Sequence, residues 1–269
     1  LKLLAKFNPS LAAIKSGTYQ LLPNMTLKQA ITLFNEGKEH QFGFTLVEGE
    51  NYFQVLDKLN RAPYLIDDIS NLTLLQAAEK LGLAHSSPEG FLKPDTYFYV
   101  ANTRASDLLL GAAERQKALL NKHWQTAEKT KLLSTQYDAL ILASIIEKES
   151  AQQSERADIA SVFHNRLKKG MRLQTDPTVI YGVWQEYKGD ITREHMRRKT
   201  PYNTYRINGL TPTPISNPSE ASIIAALNPA DTPYYYFVAS GEGGHVFNVD
   251  LAGHNKALRQ YLKKLKQDN

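Results

Sequence analysis

The sequence predicts an α+β fold, in which a small α+β module over residues 1–85 precedes a larger mixed helical and β domain over residues 86–269. The length of 269 residues is enough for two ordinary domains, each with its own core. Before residue 85, short β-prone runs alternate with short amphipathic helical patterns. The polar run HSSPEG then marks a boundary, after which the helical patterns become longer.

The composition excludes several classes of site. Cysteine is absent, which excludes disulfides, thiolate metal sites and cysteine nucleophiles. The net charge of +5 comes from scattered Lys and Arg without interleaved aromatic residues, so we predict no nucleic-acid partner. A mildly basic surface also suits an anionic polymer. The sequence contains no run long enough for a transmembrane helix. It begins with Leu rather than Met, and we therefore expect that an upstream segment has been removed.

The first module is predicted to contain two strands and three short helices. Thr26 and Asn51 have the chemistry of helix caps, and Gly37 that of a helix stop. A strand is predicted at residues 17–22, and a strand followed by a turn at residues 41–49. The predicted helices are residues 27–37, 51–62 and 73–81.

The second domain is predicted to be mainly helical, with one β-hairpin near its end. Residues 89–100 are rich in aromatic side chains but contain Gly and Pro, which favours an irregular strand or a loop. Asp176 before Pro177 has the form of a helix cap, as does Asn217 before Pro218. The predicted helices include residues 106–124, 137–149, 157–169 and 254–266, and the runs YYYFVA and HVFNV form the hairpin around a GEGGH turn.

Residues 137–149, with the sequence YDALILASIIEKE, are the stretch around which the chain is organised. Ser134, Thr135 and Asp138 supply capping chemistry, and no Gly or Pro interrupts the apolar run. We therefore predict a helix buried on most of its surface. The run ends on Glu147. A carboxyl packed among apolar neighbours has a raised pKa and can donate a proton near neutral pH, which is what a general acid must do.

Glu147 and Glu149 point in different directions, because they lie about 200° apart around a helix axis. Glu147 shares its face with Leu140, Ala143 and Ser144, whereas Glu149 stands beside polar neighbours. Glu147 is therefore the better candidate for a desolvated acid. The alternative is that the helix simply reaches solvent at Glu147.

A proline-rich segment supplies candidate groups for binding sugar rings. Tyr202, Asn203, Thr204 and Tyr205 place aromatic rings beside amide and hydroxyl groups, which suits stacking and hydrogen bonding to carbohydrate. The alternative is a proline-rich loop without a binding role.

Other reaction classes lack their motifs. His245 and His254 are well separated, and neither has a partner at the spacing of a metal site. There is no GxSxG elbow, no P-loop and no GxGxxG after a strand. We therefore predict no metal site and no cofactor.

Several long blocks occur in one order along the chain, namely EGFLKPDTYFY, LILASIIEKES, VFHNRLKKGMRLQTDPTVIYG, PYNTYRINGLTPTPISNPS and YYYFVASGEGGHVFN. In these blocks, and over nearly its whole length, the chain closely resembles the MltG/YceG family of endolytic murein transglycosylases. The alternating strands and helices before residue 85 resemble the LysM-like part of such proteins.

The resemblance implies an activity and a location. The implied reaction is non-hydrolytic cleavage of the β-1,4 bond between N-acetylmuramic acid and N-acetylglucosamine within nascent glycan strands. It leaves 1,6-anhydro ends and would limit strand elongation. The implied partners are peptidoglycan glycan strands and, among proteins, cell-wall synthases. The implied location is the cell inner membrane, with a single N-terminal span missing from this sequence and the present chain in the periplasm.

The resemblance also assigns roles to residues. The catalytic Glu of the family falls on Glu147, and a Glu147→Gln variant that still cleaved would direct attention to Glu149. Two alternatives stay open: a hydrolytic muramidase with Asp176 as a second carboxylate that activates water, and a non-catalytic peptidoglycan-binding scaffold. The residues implied to line the substrate groove are Gln174, Asp176, Tyr202, Asn203, Thr204 and Tyr205.

Overall fold

The computed structural model describes residues 13–127, 132–150 and 152–266. Helices dominate these ranges, and two small antiparallel sheets accompany them, which confirms the predicted α+β class. Short 3₁₀ turns precede and follow the middle helices. In chain order the elements are α1 (Leu27–Glu36), β1 (Phe42–Leu46), α2 (Tyr52–Leu59), α3 (Leu74–Lys80), β2 (Asp95–Tyr99), α4 (Ala105–Thr126), α5 (Gln136–Glu149), α6 (Arg156–Lys168), α7 (Asp176–Gly182), α8 (Arg193–Arg197), α9 (Glu220–Leu227), β3 (Tyr236–Ala239), β4 (His245–Asn248) and α10 (Leu251–Leu265).

The helices of the first module begin and end where local side chains satisfy the backbone. Thr26, Asn51 and Thr73 each accept a hydrogen bond from the amide three residues later, and a Gln side chain there binds back to the cap. Gly37 ends α1 in the left-handed conformation, with φ 70°. These starts confirm the predicted helices.

The predicted strand at residues 17–22 is not present as a strand. The segment makes a single ladder-like bond, from the His40 amide to the Thr18 carbonyl at 2.8 Å, and the Tyr19 ring packs on Phe34. A β-prone sequence needs a neighbouring strand to pair with, and β1 pairs elsewhere.

The partner of β1 is β2, in antiparallel register from Phe42 opposite Tyr99 to Leu46 opposite Asp95. This ladder joins a strand before residue 85 to one after it. Buried side chains from both sides of that position also belong to one continuous hydrophobic core. The second sheet is the predicted hairpin of β3 and β4, which is confirmed.

Helix α5 lies at the centre of the core. Every side chain from Ala139 to Ile146 is buried, and the helix packs against α9 above all, and also against α4, α6 and α7. Thr135 and Asp138 form the capping box at its start. The predicted buried helix is confirmed, and each of its Leu and Ile side chains contributes roughly 1.5–3 kcal/mol by leaving water. None of the helices in the described ranges is both long and apolar enough to cross a membrane.

The loop that leads into α9 is fixed to α5 and to the first module. The Ser144 hydroxyl accepts the Ile215 amide at 3.0 Å, on the face of α5 that turns towards this loop. The Asn217 side chain accepts the Leu92 amide and donates to the Glu50 carbonyl, each at 3.1 Å. Asn217 therefore ties loops together, and the prediction that it caps α9 is wrong, because Ser219 holds that position.

Glu89 is a carboxyl with no solvent exposure, located between the first module and α7. Its two oxygens accept the Tyr52 amide at the start of α2, at 3.1 and 2.9 Å, and the Tyr181 hydroxyl binds the same group. Burial raises the pKa of Glu89 to about 8, against 4.5 for an ordinary Glu, although these hydrogen bonds oppose the rise.

The raised pKa of Glu89 gives the folded protein a pH-dependent stability. Between pH 4.5 and about 8 the unfolded chain has lost a proton that the folded protein keeps, so the free energy of unfolding falls as the pH rises. A Glu89→Gln variant lacks this proton, and we expect a flatter dependence than the wild type in urea denaturation from about pH 5 to 8. The same substitution at exposed Glu114 is the control and should keep the wild-type slope. Equal slopes in wild type and Glu89→Gln would contradict the assignment.

Candidate active site

Two carboxylates stand at the end of α5, and their surroundings differ. Glu147 has a side chain that is 5% exposed. One oxygen accepts the Arg156 guanidinium at 2.9 Å, and the other accepts the Ser219 amide at 2.8 Å together with the Ser219 hydroxyl. Both oxygens are occupied by donors from the protein, and neither is left to give a proton to a substrate.

The bonds of Glu147 join three helices. Arg156 is the first residue of α6, and Ser219 caps α9, so a carboxylate at the end of α5 holds the starts of both. A carboxylate at a helix N-terminus and a charge-assisted bond to Arg are both favourable. The expectation that Glu147 is an acid with a free oxygen therefore does not match this geometry. The contacts are those of an anchor.

Glu149 leaves α5 on the other side and lines a cavity of about 450 Å³. It is partly buried, and the Thr175 hydroxyl donates to one of its oxygens. Burial raises the pKa of Glu149, and the negative charge of Asp176 adds to the rise. The Thr175 hydrogen bond and the electrostatic interactions with His245 and Arg166 oppose it. A carboxyl in this position keeps a proton closer to neutral pH than an exposed Glu does.

The cavity has walls from three parts of the chain. One wall is the segment that leads into α7, another is strand β3, and the third is the start of α10. Its lining contains two carboxyl groups, one guanidinium, one imidazole and two tyrosine rings. The lining residues are Glu149, Arg166, Leu173, Gln174, Thr175, Asp176, Tyr205, Tyr236, Phe237, Val238, Leu251, His254 and Leu258.

Three of the predicted groove residues line this cavity, namely Gln174, Asp176 and Tyr205. Gln174 is exposed and has φ 53°, a left-handed conformation that is unusual for a residue other than Gly. Asp176 was also predicted to cap α7, which is wrong: it is the first helical residue, and Thr175 holds the cap position. Its carboxylate instead accepts the Tyr205 hydroxyl at 2.6 Å. Burial and the Asp176 contact raise the pKa of Tyr205, which therefore remains the donor.

The other three predicted groove residues do not line this cavity. Asn203 and Thr204 have no exposure; the Asn203 amide group donates to the Met196 and Arg198 carbonyls, and Thr204 hydrogen-bonds Thr178. The Tyr202 hydroxyl bonds Thr213, and its ring packs edge-on against Tyr181. These side chains support the loop that presents Tyr205.

Glu149 is the functional candidate that the sequence argument ranked second. The sequence favours Glu147 because the pattern predicts a desolvated face for it and the neighbours of Glu149 are polar, but the face of Glu147 turns towards a loop inside the protein, which Ser144 binds. Glu149 shares its own face with Leu142, Ile145 and Ile146, all fully buried. That apolar stripe was a signal in the sequence. Thr175, Arg166 and Tyr236 had no such signal, and His254 was considered only as a metal ligand.

Comparisons with known proteins agree with the blocks found in the sequence. An endolytic murein transglycosylase of Bacillus subtilis is 39% identical over 175 residues, which is 65% of this chain and 48% of that protein. One of Streptococcus pneumoniae is 31% identical over 163 residues, which is 59% of this chain and 29% of that protein. The chain thus spans about half or less of these curated relatives.

A solved structure covers more of the fold. The crystal structure of a YceG-like protein from Listeria monocytogenes is 31% identical and superposes with a TM-score of 0.68, over 94% of this chain and 88% of that one. The family model described as the YceG-like family matches residues 1–260. With the matching blocks, the matching fold and a family match over almost all of its sequence, this chain belongs to the YceG-like family.

Proposed function

We propose that this protein is a lytic transglycosylase that cleaves peptidoglycan glycan strands internally, and that Glu149 is its general acid. The observation that carries the proposal is the position of Glu149, a carboxyl with a raised pKa in a cavity lined by tyrosine rings and polar side chains. The names of the Bacillus and Streptococcus relatives support the reaction and the substrate.

The proposed reaction has two proton transfers through one carboxyl. Protonated Glu149 gives its proton to the bridging oxygen as the β-1,4 bond from N-acetylmuramic acid breaks, and C1 of that sugar becomes oxocarbenium-like. Glu149, now a carboxylate, takes the proton of the C6 hydroxyl, whose oxygen closes on C1. The product carries a 1,6-anhydro ring, Glu149 regains its proton, and no water is consumed.

The cavity lining supplies proposed substrate contacts. In this proposal the exposed Gln174 amide binds the acetamido group, and the rings of Tyr205 and Tyr236 stack on the sugar faces. Thr175 holds the carboxyl of Glu149. Glu147 acts in this proposal as the anchor of α5 through Arg156.

A hydrolytic muramidase is the second candidate, because Asp176 lines the same cavity as Glu149. A glycosidase that uses water needs a second carboxylate near the acid, and Asp176 is the group that would serve. The Tyr205 hydroxyl already donates to Asp176, which occupies one of its acceptor positions. A scaffold that binds glycan without cleaving it is the third candidate, and binding without cleavage at any pH would support it.

We further propose that the reaction takes place outside the cytoplasm, where its substrate lies. The proposed setting is the periplasmic face of the inner membrane, with the chain held by a single N-terminal span. Cleavage within nascent strands there would limit their length and place the enzyme beside cell-wall synthases.

The two glutamates make a matched pair for mutation. We expect Glu149→Gln to lose roughly 100- to 10,000-fold in activity, because it removes the proton that the leaving oxygen needs, while the fold is retained. Glu147→Gln should instead lower the free energy of unfolding by roughly 1.5–3 kcal/mol, because Arg156 loses a charged partner. The measurements are mass spectrometry of uncrosslinked glycan strands and thermal unfolding of all three proteins. A stable Glu147→Gln protein without activity, beside an active Glu149→Gln protein, would reverse the assignment.

The chemistry of the product separates the two enzymatic candidates. We expect internal fragments with 1,6-anhydro ends from the wild type, and the same ends from Asp176→Asn at a rate reduced by less than about 100-fold. The Asn oxygen still accepts the Tyr205 hydroxyl, so the cavity wall is retained. Reducing ends that contain an added water, abolished in Asp176→Asn, would establish the muramidase instead.

A further inference from the structure

The turn between β3 and β4 packs on the segment that follows Glu149. Residues 240–244 form this turn, and the Gly243 carbonyl accepts the side-chain amide of Gln152, three residues beyond Glu149. The Ser150 hydroxyl in turn donates to the Gln152 carbonyl. Gln152 is thus held by a hairpin whose strands are more than eighty residues away in sequence.

A carboxylate and an imidazole form a second contact between the hairpin and this segment. One Glu155 oxygen lies 2.8 Å from His245 Nδ1, and the other accepts the His245 amide at 2.9 Å. Both side chains are only 18% exposed. Because Glu155 accepts at Nδ1, it fixes the ring orientation and keeps the proton on that nitrogen.

Gly244 is required for this contact for a steric reason. A Cβ atom at position 244 would lie 2.5 Å from the Glu155 oxygen that binds His245. Any side chain there would push the carboxylate out of place. The turn is therefore shaped to receive Glu155.

Adjacent residues fix the two sides of the proposed acid. Arg156 binds Glu147 and so holds the last turn of α5, while Glu155 holds the hairpin. Glu149 lies between these two attachments. The charged and hydrogen-bonding groups that act on it are Thr175 and Asp176 at the start of α7, Arg166 of α6, and His245 of β4.

We propose that Glu155 and His245 form a positioning pair for Glu149, which holds its carboxyl in the cavity. The proposal rests on the function proposed above. The interaction with His245 lowers the pKa of Glu149 and so favours the carboxylate formed after proton donation, which is the form that must then accept the C6 proton. Neither member of the pair lines the cavity, so both act through Glu149 rather than on the sugar.

The test is a double-mutant cycle with His245→Gln, Glu155→Gln and the double variant, measured well below their unfolding temperatures. We expect kcat to fall about 10- to 100-fold in each single variant with KM within about twofold, because the carboxyl moves while the cavity wall does not. The double variant should lose no more than either single one. Loss of His245 also moves the basic limb of the kcat/KM profile to higher pH, because an interaction that opposed the rise in the pKa of Glu149 is gone.

Glu242→Gln is the matched control on the same turn. Glu242 pairs with Lys264 of α10 at 2.7 Å and is 77% exposed, so its loss removes another attachment of the turn without touching Glu149. We expect wild-type kcat and pH profile from this variant. Rescue of activity in Glu155→Asp, relative to Glu155→Gln, would support the need for a carboxylate.

Two outcomes overturn the proposal. His245→Gln and Glu155→Gln proteins that unfold at lower temperature but keep wild-type kcat and pH profile would show a purely structural pair. Additive losses in the double variant would show that the residues act separately. Failure of the underlying function looks different, because the wild type itself would then give no anhydro ends.

Discussion

The structure depends on how α5 ends. An apolar helix buried on all sides finishes in two carboxylates separated by one lysine, and they must leave the core in opposite directions. Glu147 is turned inwards and is accommodated only because Arg156 and the cap of α9 supply donors for both of its oxygens. A buried carboxylate without those partners would cost several kcal/mol. The starts of α6 and α9 are therefore placed by one side chain of α5.

The two carboxylates at the end of α5 differ in the groups that surround them. Glu147 is surrounded by donors, whereas Glu149 receives one hydroxyl bond and faces aromatic rings and a second carboxylate. Two carboxyl groups two residues apart thus receive different roles from their surroundings, which is how one fold can place an anchor and an acid side by side. The anchor matters for the acid, because a fixed helix end gives Glu149 a fixed position.

The cavity is assembled from segments that are distant in sequence. The wall beside Asp176 is supported by buried Asn203 and Thr204, which hold the loop of Tyr205 against the start of α7. The facing wall is β3 and α10. Residues 42–50 are connected to the loop before α9 in two steps. Strand β1 pairs with β2, and Asn217 of the loop contacts Leu92 and Glu50. Residues 42–50 therefore support the same loop that carries Ser219.

The sequence by itself determined the elements whose cause is local, together with the family. These elements follow from residues within a few positions of each other. They are the caps at Thr26, Asn51 and Thr135, the burial of α5, and the hairpin of β3 and β4. Long blocks in a fixed order carried the family resemblance, which the match over residues 1–260 agrees with. Three of the six predicted groove residues also line the cavity.

Only the tertiary structure decided which carboxylate faces the cavity. A helix that is apolar on every face has an apolar stripe behind Glu149 and another behind Glu147, so the pattern could not decide correctly between them. The groups that distinguish them are Arg156, Ser219 and Thr175, which lie 9, 72 and 26 residues from their respective partners. The missing strand at residues 17–22 has a similar explanation. Whether a β-prone segment finds a strand to pair with is decided by the packing of the whole chain, as is the choice of distant side-chain partners.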